Sequence, residues 1–199
     1  GEDVKISADL TFGPGPRGQV WCDGREILAR GERVSLYLGE GIDPNSYNAA
    51  ISGAAAASLA AGLSLEEVAS GLEGFEGLGG RMKAGLMEGI SVLDNSNSGL
   101  RASGVEAALD LIGGGGKLAL VAGEEAETVC EGMDLQDLTE ILERRRRDID
   151  ILVLVGERLI PSAPGFSALT APDLDSGLAL ARARLEKGDR LISCVKCFR

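Results

Sequence analysis

The sequence predicts an α/β chain in two parts. Hairpins and helices fill residues 1–77, and an open parallel sheet, doubly wound by helices, fills residues 78–199. Three observations predict it. Apolar and polar residues alternate between turn signals through residues 4–39. The period then lengthens into an alanine-rich helix. Beyond a glycine-dense stretch at 71–80, short apolar runs alternate with amphipathic helices.

In the first part, Val4, Ile6, Ala8 and Leu10 form one stripe and Val34, Leu36 and Leu38 another, both with the two-residue period of a strand. Gly13-Pro14-Gly15-Pro16 is a turn cluster, and Asp23-Gly24 is a hairpin turn. Antiparallel hairpins are therefore expected. They begin with a strand and no lead-in, so Gly1 is expected to fall partway through a domain. Asn45 to Leu63 reads as a buried helix whose alanines let neighbours approach closely. Ser64-Leu65-Glu66-Glu67 is a capping box that opens a second, shorter helix.

In the second part, strands are expected at Ile90–Leu93, Lys117–Ala122, Asp150–Val155 and Arg190–Val195. Helices alternate with them. Val105, Ala108, Leu109 and Ile112 mark one face of a helix over 100–112. Asp134 caps a helix with Leu135, Leu138, Ile141 and Leu142 on its buried stripe. Asp173 or Asp175 starts a third, through Leu178, Ala181 and Leu185.

The charge is −11 and there is no histidine. An acidic chain repels nucleic-acid phosphates and anionic lipid, so neither is expected as a partner. Without histidine, a Ser-His-Asp triad, a Cys-His pair or a His-ligated metal cannot be built from these residues. The four cysteines do not form a secreted disulfide framework, and no apolar run reaches a membrane span. A soluble cytoplasmic protein is expected.

Three constellations carry chemistry. Asn45 and Asn48 sit three residues apart on one helical face, where amide donors and acceptors suit the edge of a purine; alternatively, Asn45 merely caps the helix. Arg81 follows Gly79-Gly80 at the junction, where a guanidinium can reach a phosphate or ribose; alternatively, it is an ordinary surface arginine. Asp94-Asn95-Ser96-Asn97-Ser98-Gly99 ends an apolar strand, the place where open α/β sheets bind ligands; alternatively, it is a polar turn with a cap. Asp94 can accept from ribose hydroxyls, and the amides that follow can meet an anion.

In this order and spacing, Asn45 and Asn48, then Phe75 with Arg81, then Asp94 resemble the Mur ligases, which add amino acids to cell-wall precursors. The resemblance implies that residues 1–77 are the tail of a central ATPase domain and residues 78–199 a Rossmann-like carboxyl-terminal domain. It implies ATP contacts for Asn45, Asn48, Arg81 and Asp94. The close, from Gly188-Asp189 through Lys196-Cys197-Phe198-Arg199, resembles the family's G-D-x-x-L-x-K-G-S-R, with Lys196 and Arg199 at its basic positions. With Asn97 these would face the substrate. Pro44 replaces the family's histidine, and Asn97 stands in a D-N-S-N-S-G turn rather than D-Y-x-H-x-P, so an ordinary peptidoglycan substrate is not implied. The turn and the C-V-K-C-F-R close are similar to an archaeal branch of methanogens that closes the last carbocyclic ring of a nickel tetrapyrrole. Implied with it are ATP, a small-molecule carboxylate substrate, and Mg²⁺ held mostly by residues outside this chain.

Gly113-Gly114-Gly115-Gly116-Lys117 is no phosphate loop: no Ser or Thr follows, and it joins a helix to a strand. The chain by itself is therefore expected not to hydrolyse ATP. On a strand, Cys194 and Cys197 would point to opposite faces, against a redox or zinc pair, and zinc would also need Cys22 and Cys130. Arg144–Arg147 reads as a solvated helix end. Two other readings stay open: a Mur-like amino-acid or peptide ligase of archaeal cell wall or cofactor assembly, and a nucleotide-binding or interaction module without catalysis.

Overall fold

The computed structural model describes residues 10–13, 15–16, 18–125 and 132–198. The chain divides into two compact units, Gly1–Gly77 and Leu78–Arg199.

Among its described residues, the first unit pairs a four-stranded sheet with two helices. Its strands are β1 (Phe12–Gly13), β2 (Val20–Cys22), β3 (Glu26–Ala29) and β4 (Glu32–Ser35), in that spatial order. β2 to β4 form antiparallel hairpins as the alternation predicts. Between β2 and β3 the chain turns at Asp23-Gly24, with Gly24 at φ 102°. Between β3 and β4 it turns at Arg30-Gly31, both at positive φ, the geometry that matches strand twist in a two-residue hairpin. β1 departs from expectation by pairing parallel to β2. The amides of Gln19 and Val20 both donate to the Thr11 carbonyl, at 2.9 and 3.0 Å. Val4, Ile6 and Ala8 lie outside the described residues; Leu36 and Leu38 lie past β4, with Leu36 buried.

Helix α1 (Pro44–Ala60) starts with Pro44, whose missing N–H costs nothing in the first turn. Asp43, not Asn45, is the cap: its carboxylate accepts from the Ser46 amide at 2.9 Å. Tyr47, Ile51, Ala55 and Ala56 face the sheet and join Val20, Ile27 and Leu65 in one core. Helix α2 (Leu65–Gly71) carries the expected capping box, with Ser64 and Glu67 exchanging bonds of 2.7 and 3.2 Å.

The elements described in the second unit are β5 (Lys83–Met87), β6 (Ile90–Asp94), α3 (Ala102–Leu111), β7 (Leu118–Glu124), α4 (Leu135–Arg144), β8 (Ile151–Val155), a 3₁₀ helix (Glu157–Ser162), β9 (Leu169–Ala171), α5 (Leu174–Arg182) and β10 (Arg190–Lys196). Among the described residues its strands form one six-stranded sheet in the order β5-β6-β10-β7-β8-β9. All pairs are parallel except β5 with β6. One face packs Leu93, Leu120, Leu154 and Ile192 against α3 and α4. The other packs Val121, Val153, Leu191 and Val195 against α5. The sheet is doubly wound, and Asp173 caps α5 by accepting from the Ser176 amide at 2.7 Å. Two edge strands escape the sequence. β5 (K-A-G-L-M) has no clear alternation and is held by a Glu88-Gly89 hairpin turn, and β9 has only three residues.

The run Gly113–Lys117 is a turn between α3 and β7, as expected. Arg144 and Arg145 do more than face solvent. Arg144 pairs with Glu106 at 2.7 Å, and Arg145 pairs with Asp148 at 2.7 Å and with Asp110, tying α4 to α3. Arg146 donates to the Gly165 carbonyl and stacks over Phe166 at 5.5 Å. Among the described residues, no helix is long and apolar enough to cross a membrane.

Candidate functional site at the carboxyl edge of the sheet

The polar turn after β6 is built around Asp94. Its Oδ2 accepts from the Gly80 amide at 3.0 Å, and its Oδ1 from the Ser96 amide at 3.1 Å and the Ser193 hydroxyl at 2.7 Å. Ser193 comes from β10, whose register sets it beside Asp94. One carboxylate thus ties the junction segment, the loop and the central strand together.

Asn97 is buried and fully occupied. Its Nδ2 donates to the carbonyls of Gly80 at 2.7 Å and Asn95 at 3.1 Å, and its Oδ1 accepts from the Gly99 amide at 3.0 Å. Ser96 is buried too; its hydroxyl oxygen accepts from the Val195 amide at 3.0 Å. Asn95 donates to the Gly104 carbonyl at 3.1 Å. The side chains that look like a row of ligand groups in the sequence mostly hold their own loop. Helix α3 begins only at Ala102, so the amides of residues 95–99 belong to that loop and not to a helix start.

Gly80 sits at φ 71°, and a Cβ there would lie 2.0 Å from the Ser96 carbonyl oxygen. Only glycine fits this crossing. Arg81 follows it with an exposed side chain whose Nη1 would lie 3.5 Å from a Cβ at Gly99. Leu78, Gly79, Arg81, Ser96, Asn97 and Ser98 line an open crevice of about 420 Å³. The structure therefore gathers Arg81, Asp94 and Asn97 on one wall of the second unit.

Asn45 and Asn48 belong to the first unit, at the start of α1. Asn45 donates to Asp43 Oδ1 and Asn48 donates to Asn45 Oδ1, each at 3.4 Å, so the two amides form a chain from the cap. Among the described residues, nothing donates to the buried Asn48 Oδ1. Phe75 packs edge-on against Tyr47 of α1, with ring centroids 5.6 Å apart.

Lys196 ends β10 and is buried, beside Glu124 at the end of β7. Arg199 lies outside the described residues. Glu124, Arg158 and Ser193 are site-edge residues that the sequence does not single out. Arg158 binds Glu124 through two bonds, 2.5 Å to Oε1 and 2.9 Å to Oε2. The guanidinium bonds hold the Glu124 carboxyl below the usual range, against the opposing effect of burial. The only available signal was an acid closing an otherwise apolar strand.

Cys194 belongs to the core under α3 and α4 and Cys197 to the opposite one, so their thiols diverge as alternation predicts. Burial pushes the Cys194 thiol far up, which keeps it protonated. Cys130 lies outside the described residues. Among the described residues no three Cys, Asp or Glu side chains gather as metal ligands.

A family model described as the coenzyme F430 synthetase CfbE C-terminal domain matches residues 86–197. The chain is 36% identical over 180 residues to the coenzyme F(430) synthetase of Methanosarcina acetivorans, covering 87% of this chain and 38% of that protein. The chain thus spans well under half the length of that curated relative. Among solved structures, it resembles a pseudomurein peptide ligase type C from Methanothermus fervidus at a TM-score of 0.64 and 16% identity, over 90% of this chain and 40% of that one. It also resembles the MurF ligase of Thermotoga maritima, solved with ADP, at a TM-score of 0.58 and 18% identity, over 94% and 44%. At such identities the two structures speak for the fold alone. The match to the family model settles the assignment: this chain belongs to the coenzyme F430 synthetase CfbE C-terminal domain family, on the fold of the Mur ligases.

Proposed function

We propose that the protein works as an ATP-dependent ligase, activating a substrate carboxylate as an acyl phosphate, and that its substrate is the nickel tetrapyrrole whose last carbocyclic ring it closes to give coenzyme F(430). The observation that carries this reading is the 36% identity to a coenzyme F(430) synthetase. In this reading residues 1–77 are the last part of the central ATP-binding domain and residues 78–199 the carboxyl-terminal domain. The setting is cytoplasmic, with Mg²⁺ held mostly by residues outside this chain.

The chemistry proceeds in two steps. A carboxylate oxygen attacks the γ-phosphorus of ATP, and ADP leaves. A substrate carbon, having lost its proton, then attacks the acyl carbon, and inorganic phosphate departs as the ring bond forms. Activation is required because oxide is not a viable leaving group.

Asn45 and Asn48 are assigned to the adenine. The unmatched Asn48 Oδ1 supports this, since an amide acceptor without a partner can reorient to meet an exocyclic amine. Arg81 and Asp94 are assigned to the phosphates and ribose. The exposed guanidinium beside the crevice suits an anion, and the hydrogen-bonded Asp94 keeps the loop in register. Asn97, Lys196 and Arg199 are assigned to the substrate side. The geometry of Asn97 favours an indirect role there, because its amide already holds Gly80 and Gly99. Closure around both substrates would keep water from the acyl phosphate.

Phosphate release by the full-length protein, given ATP and either the tetrapyrrole acid or amino-acid acceptors, tests the reading. Release only with amino acids supports the peptide-ligase alternative, and release with neither supports a binding module. Arg81→Ala should raise the KM for ATP about tenfold or more. The chain alone, which carries no phosphate loop in the Gly113–Lys117 turn, should bind ADP weakly; a sub-micromolar Kd by calorimetry would contradict this.

A further inference from the structure

The first unit holds a small cavity of its own, about 230 Å³, beside the start of α1. Gly24, Arg25, Leu36, Tyr37, Ile42 and Pro44 are among the residues that line it. Backbone bonds fix its walls. The Leu36 amide donates to the Arg25 carbonyl at 2.6 Å, and the Gly74 amide to the Tyr37 carbonyl at 2.9 Å. Gly39, also in the lining, donates to the Phe75 carbonyl at 2.9 Å. Leu36 is buried, and Leu38 and Ile42 pack against the same core as Tyr47 and Ile51. The segment that carries Tyr37 is therefore anchored on both sides of that residue.

Tyr37 itself is 73% exposed. The core takes Leu36 and Leu38, its two neighbours, and leaves the ring out. A ring left in water at the edge of a fixed and largely apolar cavity has area to give to a ligand.

The polar groups beside the cavity narrow the class of ligand. A Cβ at Gly24 would lie 3.1 Å from Asn45 Oδ1, so the Asn45 carboxamide lies against the cavity wall. That oxygen accepts only a long bond, 3.4 Å, from Asn48 Nδ2, and Asn48 Oδ1 has no donor among the described residues. Apolar walls, an exposed aromatic face and adjacent amide donors and acceptors together suit a flat heteroaromatic ring with a polar edge. The cavity is smaller than the roughly 300 Å³ at which pockets for whole ligands begin. It takes one ring system and leaves the rest of the ligand outside.

We propose that this cavity seats the adenine ring of the nucleotide and that Tyr37 is the face on which the ring stacks. That the ring is adenine rests on the ligase reading; that the cavity takes a flat heteroaromatic ring does not.

In the full-length protein, Tyr37→Ala should raise the Kd for ADP, measured by calorimetry, about fivefold to a hundredfold. Tyr37→Phe keeps the ring and should stay within about twofold of the wild type. Inorganic pyrophosphate has no base, so its Kd should differ by less than about twofold among the three proteins. The side chain is exposed, so its truncation should leave the fold intact. In turnover, Tyr37→Ala should raise the KM for ATP by the same factor as the ADP Kd and leave the KM for the tetrapyrrole acid within about twofold. Equal weakening of ADP and pyrophosphate, or an unchanged ADP Kd in Tyr37→Ala, would overturn the assignment.

The binding measurements need no turnover, so they separate the base site from the ligase. Loss of ADP affinity in Tyr37→Ala, in a protein that releases no phosphate from ATP, would keep the base site and remove the ligase. Phosphate release with an ADP Kd indifferent to Tyr37 would keep the ligase and remove the base site. A wild type that binds no ADP would overturn both.

Discussion

Gly80 meets two demands at once, a left-handed backbone and a carbonyl oxygen pressed against its α-carbon. Gly80→Ala should therefore destabilise the second unit by about 2 kcal/mol or more, seen as a lower urea midpoint. Glu124 makes a different prediction. Its folded pKa is depressed, so its contribution is complete above the unfolded value near about 4.3 and is lost as pH falls through the folded value. The stability gap between the wild type and Glu124→Gln should narrow on acidification from pH 6 toward about pH 3. Asp94 was legible as a strand-end acid, but it accepts from Gly80, Ser96 and Ser193, and the last is 99 residues away. The Glu124–Arg158 pair spans 34 residues with no motif to announce it. No local pattern encodes such partners. They exist only because the parallel register brings the strand ends together.

Elements whose stability is local were the readable ones. The Ser64 box, the Asp134 and Asp173 caps and the apolar stripes of α3 to α5 each satisfy their own backbone or bury their own face. Ser64→Ala should cost α2 about 1 kcal/mol and speed exchange of the Val68 amide, which donates to the Ser64 carbonyl at 3.1 Å. β5 and β9 were unreadable for the opposite reason. Each is an edge strand that relies on its neighbour, β6 or β8, for its hydrogen bonds. The parallel pairing of β1 was hidden in the same way, since a glycine-proline cluster signals a change of direction but not which one. At the start of α1, proline at the first position made Asp43 the cap and left Asn45 and Asn48 to bond one another.

For the whole molecule, the alternation of short strands and helices was enough to predict a doubly wound sheet, because each helix must cover one face of the strands it joins. The strand order was not predictable from alternation. β10 lies between β6 and β7, and both of its backbone edges are filled by strands made far earlier in the chain. A chain shortened to end at residue 188 should therefore lose the whole sheet and self-associate, visible by sedimentation, because β6 and β7 would each present a bare edge. A ribosome making this unit releases four parallel strands before the one that joins them. Until β10 emerges, the nascent chain carries two half-sheets with sticky inner margins, and Asp94 and Glu124 belong to separate halves. A nascent chain at that stage should aggregate more readily than one in which β10 has emerged, the expected cost of closing a sheet with a strand made so long after its neighbours.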